Sequence, residues 1–152
     1  MLNRLFFVLL IFFFTSASVN AAELEPWYKE VLQAGNPNSL SYFTFADKDC
    51  GIDGALLDEL LEGVLIRSRV KPIRGFDDLI YLSVDVSCTS SVNAFSVSIR
   101  FGRYQPKPSI LYDVSYGGVG GGTSLDPTYM LNGIKVGIED AITDYISANF
   151  NL

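Results

Sequence analysis

Residues 79–88 read LIYLSVDVSC. Ile80, Leu82, Val84, Val86 and Cys88 fall on one side of an extended chain, and Tyr81, Ser83, Asp85 and Ser87 on the other. Side chains alternate across a strand with a period of two, so this is the pattern of a strand with one buried and one wet face. The pattern returns twice. In NAFSVSIRFG, residues 93–102, Phe95, Val97, Ile99 and Phe101 oppose Ala94, Ser96, Ser98 and Arg100. In SILYDVSY, residues 109–116, Ile110, Tyr112, Val114 and Tyr116 oppose Leu111, Asp113 and Ser115. The joints, TSSVN and GRYQPKP, carry turn residues. Three such segments in a row describe an antiparallel meander, and its apolar face needs a cover.

The segments on either side supply it. From Asp53 the apolar residues Leu56, Leu57, Leu60, Leu61, Val64 and Leu65 recur at three- and four-residue steps, with Asp58, Glu59 and Glu62 opposite. This predicts an amphipathic helix capped by Asp53 and ended before Pro72. A second helix is predicted over 127–150, with Asp126 as cap, Pro127 in its first position and Leu131, Ile134, Ile138, Ile142, Tyr145, Ile146 and Phe150 at helical spacing. Gly133 and Gly137, four apart, suit close packing on the sheet. A short helix is expected over 24–34, and SLSYFTFAD, residues 39–47, as a strand or an extended segment over the core. The fold class is α+β: an antiparallel β-meander of three to five strands with two main helices packed on one face, in the order α-β-β-β-α.

The N-terminus reads differently. Arg4 precedes an apolar run from Leu5 to Phe14 and then TSASVNAA. That is the layout of a secretory signal peptide over residues 1–22, with cleavage near Ala21 or Ala22. The run is about ten residues, against roughly 20 for a spanning helix. Residues 23–152 are then expected as a single α+β domain, periplasmic or secreted, with no integral membrane segment after cleavage. In an oxidising compartment Cys50 and Cys88 are expected to pair. The bond would close a loop of about 39 residues, stabilising by roughly 4 kcal/mol on the chain-entropy account.

Charge and composition exclude several functions. The chain has 11 Lys and Arg against 17 Asp and Glu, and no His. An acidic body repels nucleic acid, so no nucleic-acid partner is expected. Without His, the Ser-His-Asp and Cys-His arrangements and the usual zinc sites are absent. YGGVGGGTS, residues 116–124, is no phosphate loop: the dinucleotide pattern needs Gly at Thr123, and no Lys follows the glycines. It is expected as a mobile hairpin or connector, with Tyr112 and Tyr116 beside it. DKDCGIDG, residues 47–54, has acids at calcium-loop intervals, but Cys50 and Gly51 interrupt the ligand order and Asp58, not Glu, stands twelfth. No cofactor, metal site or catalytic set is predicted.

VLIRSRVKPIRG, residues 64–75, is the one basic stretch. If part of it is extended, Arg67, Arg69 and Lys71 share a side, and with Arg74, Arg100, Arg103 and Lys107 they could form a basic band for an anionic envelope component or a protein. The alternative is structural: cations at a helix C-terminus, edge-strand protection, or cross-strand pairing with Asp77, Asp78 and Asp85. The function these features predict is a small exported, non-enzymatic binding or accessory protein, with inhibitor and immunity proteins as candidate types. Alternatives are a small-ligand carrier with an apolar cavity between sheet and helices, lidded by residues 117–122, and a carboxylate-dependent hydrolase.

Overall fold

A computed structural model describes residues 24–76, 79–89, 91, 93–104, 109–122 and 126–150. The signal-peptide reading, Lys107, Asp77 and Asp78 lie outside the described residues. The elements run α1 (Pro26–Val31), β1 (Ser39–Ala46), a 3-10 turn (Lys48–Cys50), α2 (Gly54–Arg67), β2 (Lys71–Arg74), β3 (Ile80–Thr89), β4 (Ala94–Arg103), β5 (Ile110–Leu111), β6 (Gly118–Gly121) and α3 (Pro127–Phe150). The class is α+β, with helices packed on a sheet and Cys50 joined to Cys88.

Both main helices begin where their caps predict. The Asp53 carboxylate accepts from the Ala55 amide at 2.9 Å, and the Asp126 carboxylate from the Thr128 amide at 2.9 Å. Each satisfies one donor that the first turn leaves unpaired. Leu57, Leu61, Val64 and Leu65 of α2 are buried, as are Met130, Ile134, Ile138, Ala141, Ile142 and Tyr145 of α3. They pack on Leu40, Tyr42, Leu82, Val84, Val86, Val97, Ile99 and Phe101 of the sheet. Leu56, expected on the apolar side of α2, is exposed. The disulfide ties the 3-10 turn ahead of α2 to the far end of β3.

The sheet is mixed, with order β2-β1-β3-β4-β5 and β6 also on β4. Strands β3, β4 and β5 pair antiparallel, as the meander requires. Strand β1 lies between β2 and β3 and runs parallel to both. Helix α2 is the crossover that makes the β1–β2 pair parallel. In the sheet, β1 thus separates β2 from β3, the next strand in the chain. Phe76 lies against Phe43 (ring centroids 4.1 Å apart), Tyr104 (4.6 Å) and Tyr81 (5.5 Å). The sheet face away from the helices is therefore not wet throughout: Tyr81, expected on the solvated side, is buried beneath this cluster, and Ser41 beside it is buried too.

The basic stretch is not one extended ribbon. Ile66 and Arg67 are the last residues of α2, and Arg69 has φ 60°. The Val70 amide donates to the Leu65 carbonyl at 2.9 Å, and the Arg69 amide to Ile66 at 3.0 Å. This is a Schellman turn with Arg in the left-handed position, closed by contact between two buried residues, Leu65 and Val70. Extension begins only at Lys71. The glycine segment also departs from expectation, because Gly118–Gly121 form an edge strand on β4.

Candidate binding groove

The β4–β6 register pairs Ala94 with Gly121, Phe95 with Gly120, Ser96 with Val119 and Val97 with Gly118. Paired residues share a face, so Gly118 and Gly120 occupy the helix-facing side with Phe95 and Val97. A strand with ordinary side chains there would fill the space up to α3. Glycine leaves it empty at Gly118, where a Cβ would meet nothing within 4 Å. At Gly120 a Cβ would stand 2.5 Å from the Phe95 ring, which occupies that room. The result is a groove of about 420 Å³ between β4, β6 and the first half of α3. Phe95, Val97 and Met130 line its inner part, and Tyr129, Gly133 and Val136 its helical wall. No acidic or basic side chain among the described residues lines it. Val119 is 87% exposed, Tyr129 66% and Val136 56%.

Tyr116 holds the strand end of the groove in place. Its hydroxyl donates to the Asp144 carboxylate at 2.7 Å and lies 3.1 Å from the Tyr28 hydroxyl. Its amide donates to the Ile99 carbonyl at 2.9 Å. Burial pushes the Tyr116 hydroxyl far above the ordinary tyrosine value, and the bonds to Tyr28 and Asp144 add to that. Burial likewise raises Tyr28, to about 12. Both hydroxyls are neutral at physiological pH, so the trio acts as a hydrogen-bonded lock joining α1, the segment before β6 and α3. Tyr112, expected beside the glycines, instead meets Tyr28 edge-on at 6.4 Å.

A second polar cluster lies between α2 and the β1–β2 edge. The Thr44 hydroxyl donates to Asp58, the Tyr42 hydroxyl donates to Glu62, and Arg74 Nη1 lies 2.9 Å from Asp58 Oδ2. Burial raises the Tyr42 hydroxyl, and Glu62, by accepting its bond, raises it further. A second cavity, of about 280 Å³, opens between the α1–β1 loop, α3 and the ends of β3 and β4, with Arg103 in its wall. Arg103 Nη2 donates to the Val31 carbonyl at 3.5 Å, while its Nε is buried and has no partner among the described residues.

The basic residues are dispersed by the fold. Arg67 closes α2 and lies 3.7 Å from Glu139 of α3. Arg69 holds the turn. Lys71 and Arg74 alternate on β2, Lys71 beside Ser39 and Arg74 beside Tyr42 on the helix-facing side. Arg100 is on the opposite face, its Nε donating to the Ser98 hydroxyl at 2.9 Å. Strand β4 is three strand spacings, about 14 Å, from β2. Arg103 points to the second cavity's wall. Asp85 accepts from Ser83 at 2.8 Å and has no ion pair among the described residues. Around 47–54, Asp53 caps α2, and no three potential metal ligands come together among the described residues.

The groove was only partly visible in sequence. Tyr116 and the glycines stand out as a connector, but Phe95 reads as an ordinary core position, and Tyr129 and Val136 fall outside the apolar spacing of α3. What marks them is the run of glycines opposite, which has no side chains to fill the gap. The chain matches no family model and no curated protein.

Proposed function

We propose that this is an exported, non-enzymatic binding protein whose partner is another protein, held at the groove between β6 and α3. The observation that carries the reading is the uncharged groove whose rim residues Tyr129 and Val136 keep more than half of their surface in water. Exposed apolar side chains grouped in one place mark interaction sites. Among the described residues its lining carries no carboxylate, serine, threonine or cysteine, so it suits contact and not chemistry. The acidic body favours a partner with basic residues around an apolar contact, since complementary charge raises the association rate.

A small-ligand carrier is the second reading, and the groove's volume of about 420 Å³ favours it. Such sites bury some 70–90% of their ligand. The exposed rim argues for a larger occupant that brings its own cover. The basic residues support the reading less well, because Arg74 and Arg100 lie on opposite faces.

The test compares three forms of equal thermal stability in capture from envelope extract: wild type, Tyr129→Asp/Val136→Asp, and Arg67→Glu/Arg69→Glu/Lys71→Glu. The same protein should be retained by wild type and the charge-reversed form and lost by the groove form. Loss with the charge-reversed form alone would move the site to the α2–β2 turn. Export is checked separately by the mature N-terminus, expected at Ala22 or Glu23.

A further inference from the structure

The two edges of the sheet are built differently. At one, β2 reads Lys71-Pro72-Ile73-Arg74. Proline and charge are what natural sheets use to block pairing with another chain. At the other, β6 reads Gly118-Val119-Gly120-Gly121, without proline or charge. The hydrogen bonds to β4 fall on alternate residues: the Tyr116 amide reaches Ile99 at 2.9 Å, and the Gly122 amide reaches Asn93 at 3.1 Å. In an antiparallel ladder this register turns the backbone groups of Gly118 and Gly120 toward β4 and those of Val119 and Gly121 outward. No described residue bonds to those outward groups.

We propose that an extended segment of the partner protein adds to β6 as a further strand, its alternate side chains entering the groove under α3. The proposal rests on the groove being the binding site. Main-chain bonds to Val119 and Gly121 would supply affinity, and the pocket formed by Phe95, Val97, Met130 and Val136 would select the side chains, the division of labour of β-strand addition. The glycines serve this twice: their bare backbone lets another chain approach, and the missing side chain of Gly118 opens the groove. The segment is uncharged and apolar at alternate positions, because nothing lining the groove could pair a buried charge. It is flanked by basic residues, because the chain carries a net charge of −6. That charge also disfavours the obvious competitor, edge-to-edge pairing of two copies, which would bring like charges together.

The probe is a phage-displayed library of random heptapeptides, selected on the purified protein and in parallel on Val136→Asp, a substitution at an exposed position. Peptides enriched on wild type only, with apolar residues at alternate positions and no proline, are expected. N-methylation of the amides in one alternating set should weaken their binding tenfold or more, and methylation of the other set should leave it unchanged. Peptides lost on Val136→Asp but indifferent to methylation would overturn strand addition while leaving the groove as the binding site. Equal enrichment on both proteins, or none, would overturn both readings. Dimerisation of the protein that Val136→Asp abolishes, without peptide enrichment, would make a second copy the occupant and overturn the proposal.

Discussion

The backbone of Tyr116 runs against α3 at Gly137: a Cβ on Gly137 would stand 2.5 Å from the Tyr116 carbonyl oxygen and 2.7 Å from Ile99 Cδ1. One turn earlier, a Cβ on Gly133 would meet nothing within 4 Å. The helix touches the edge strand at Gly137 and stands clear of it at Gly133, and that divergence opens the groove.

Alanine at these two glycines should therefore have opposite effects. At either position it recovers about 1 kcal/mol of helix propensity. Gly133→Ala should keep most of that gain and raise the urea midpoint. Gly137→Ala must displace the Tyr116 backbone, and overpacking of that kind costs about 1–3 kcal/mol. It should lower the midpoint and weaken binding at the groove. Similar midpoints for the two variants would show that α3 is free to move off the strand.

Arg69→Gly should stabilise the protein. A left-handed conformation costs an L-residue about 1–2 kcal/mol, and Arg69 holds one at the end of α2. Glycine gives back part of the gain through its freer unfolded chain. The net rise should be up to about 1 kcal/mol by chemical denaturation, with binding unchanged. A loss of stability would mean that the arginine side chain outweighs the strain of its backbone.

Much of this architecture could be read from the chain, for a physical reason. Strands β3 and β4 and helices α2 and α3 each bury one face, so their residues alternate with the period of the element. Asp53 and Asp126 announce the helix starts by the same local logic. The insertion of β1 between β2 and β3 leaves no such mark, because strand order is decided by which segments meet across the core. Nor does the break at Arg69, where a left-handed turn is formed by a residue that ordinarily avoids it. That one turn keeps Arg67 and Arg69 off β2 and disperses the basic stretch. The glycine segment has no side chains from which a period could be read, and it becomes a strand because β4 offers a free ladder.

Two arginines from the same stretch should differ sharply when removed. Arg74 pairs with Asp58, whose side chain is only 12% exposed and also accepts from Thr44. Arg74→Ala leaves that carboxylate short of a partner, at a cost of about 1–3 kcal/mol. Arg67 and Glu139 are both well exposed, and Arg67→Ala should cost under about 1 kcal/mol. Each substitution removes one positive charge, so the change in net charge cancels between them. Equal losses in thermal unfolding would mean that Asp58 is adequately held by Thr44 alone.

The lock at Tyr116 should show itself in the pH dependence of stability. Burial, with the neighbouring charge of Asp140 assisting, holds the Asp144 carboxyl above the usual carboxylate range, although the bond from Tyr116 pulls it down. A group with a raised native pKa binds its proton more tightly in the folded chain, so protonation favours the fold. The contribution is complete below the ordinary carboxylate value of about 4 and is lost as pH rises through the native value. This is opposite in sign to a carboxylate held by a cation. Asp144→Asn cannot titrate, so subtracting its stability from that of wild type isolates the effect. The difference should favour wild type most at acid pH, fall as pH climbs through the native value, and be flat around neutrality. A difference that grew toward neutral pH would show that Tyr116 and Tyr28 stabilise the ionised carboxylate more than burial opposes it. The trio would then hold the strand end of the groove as a charged site.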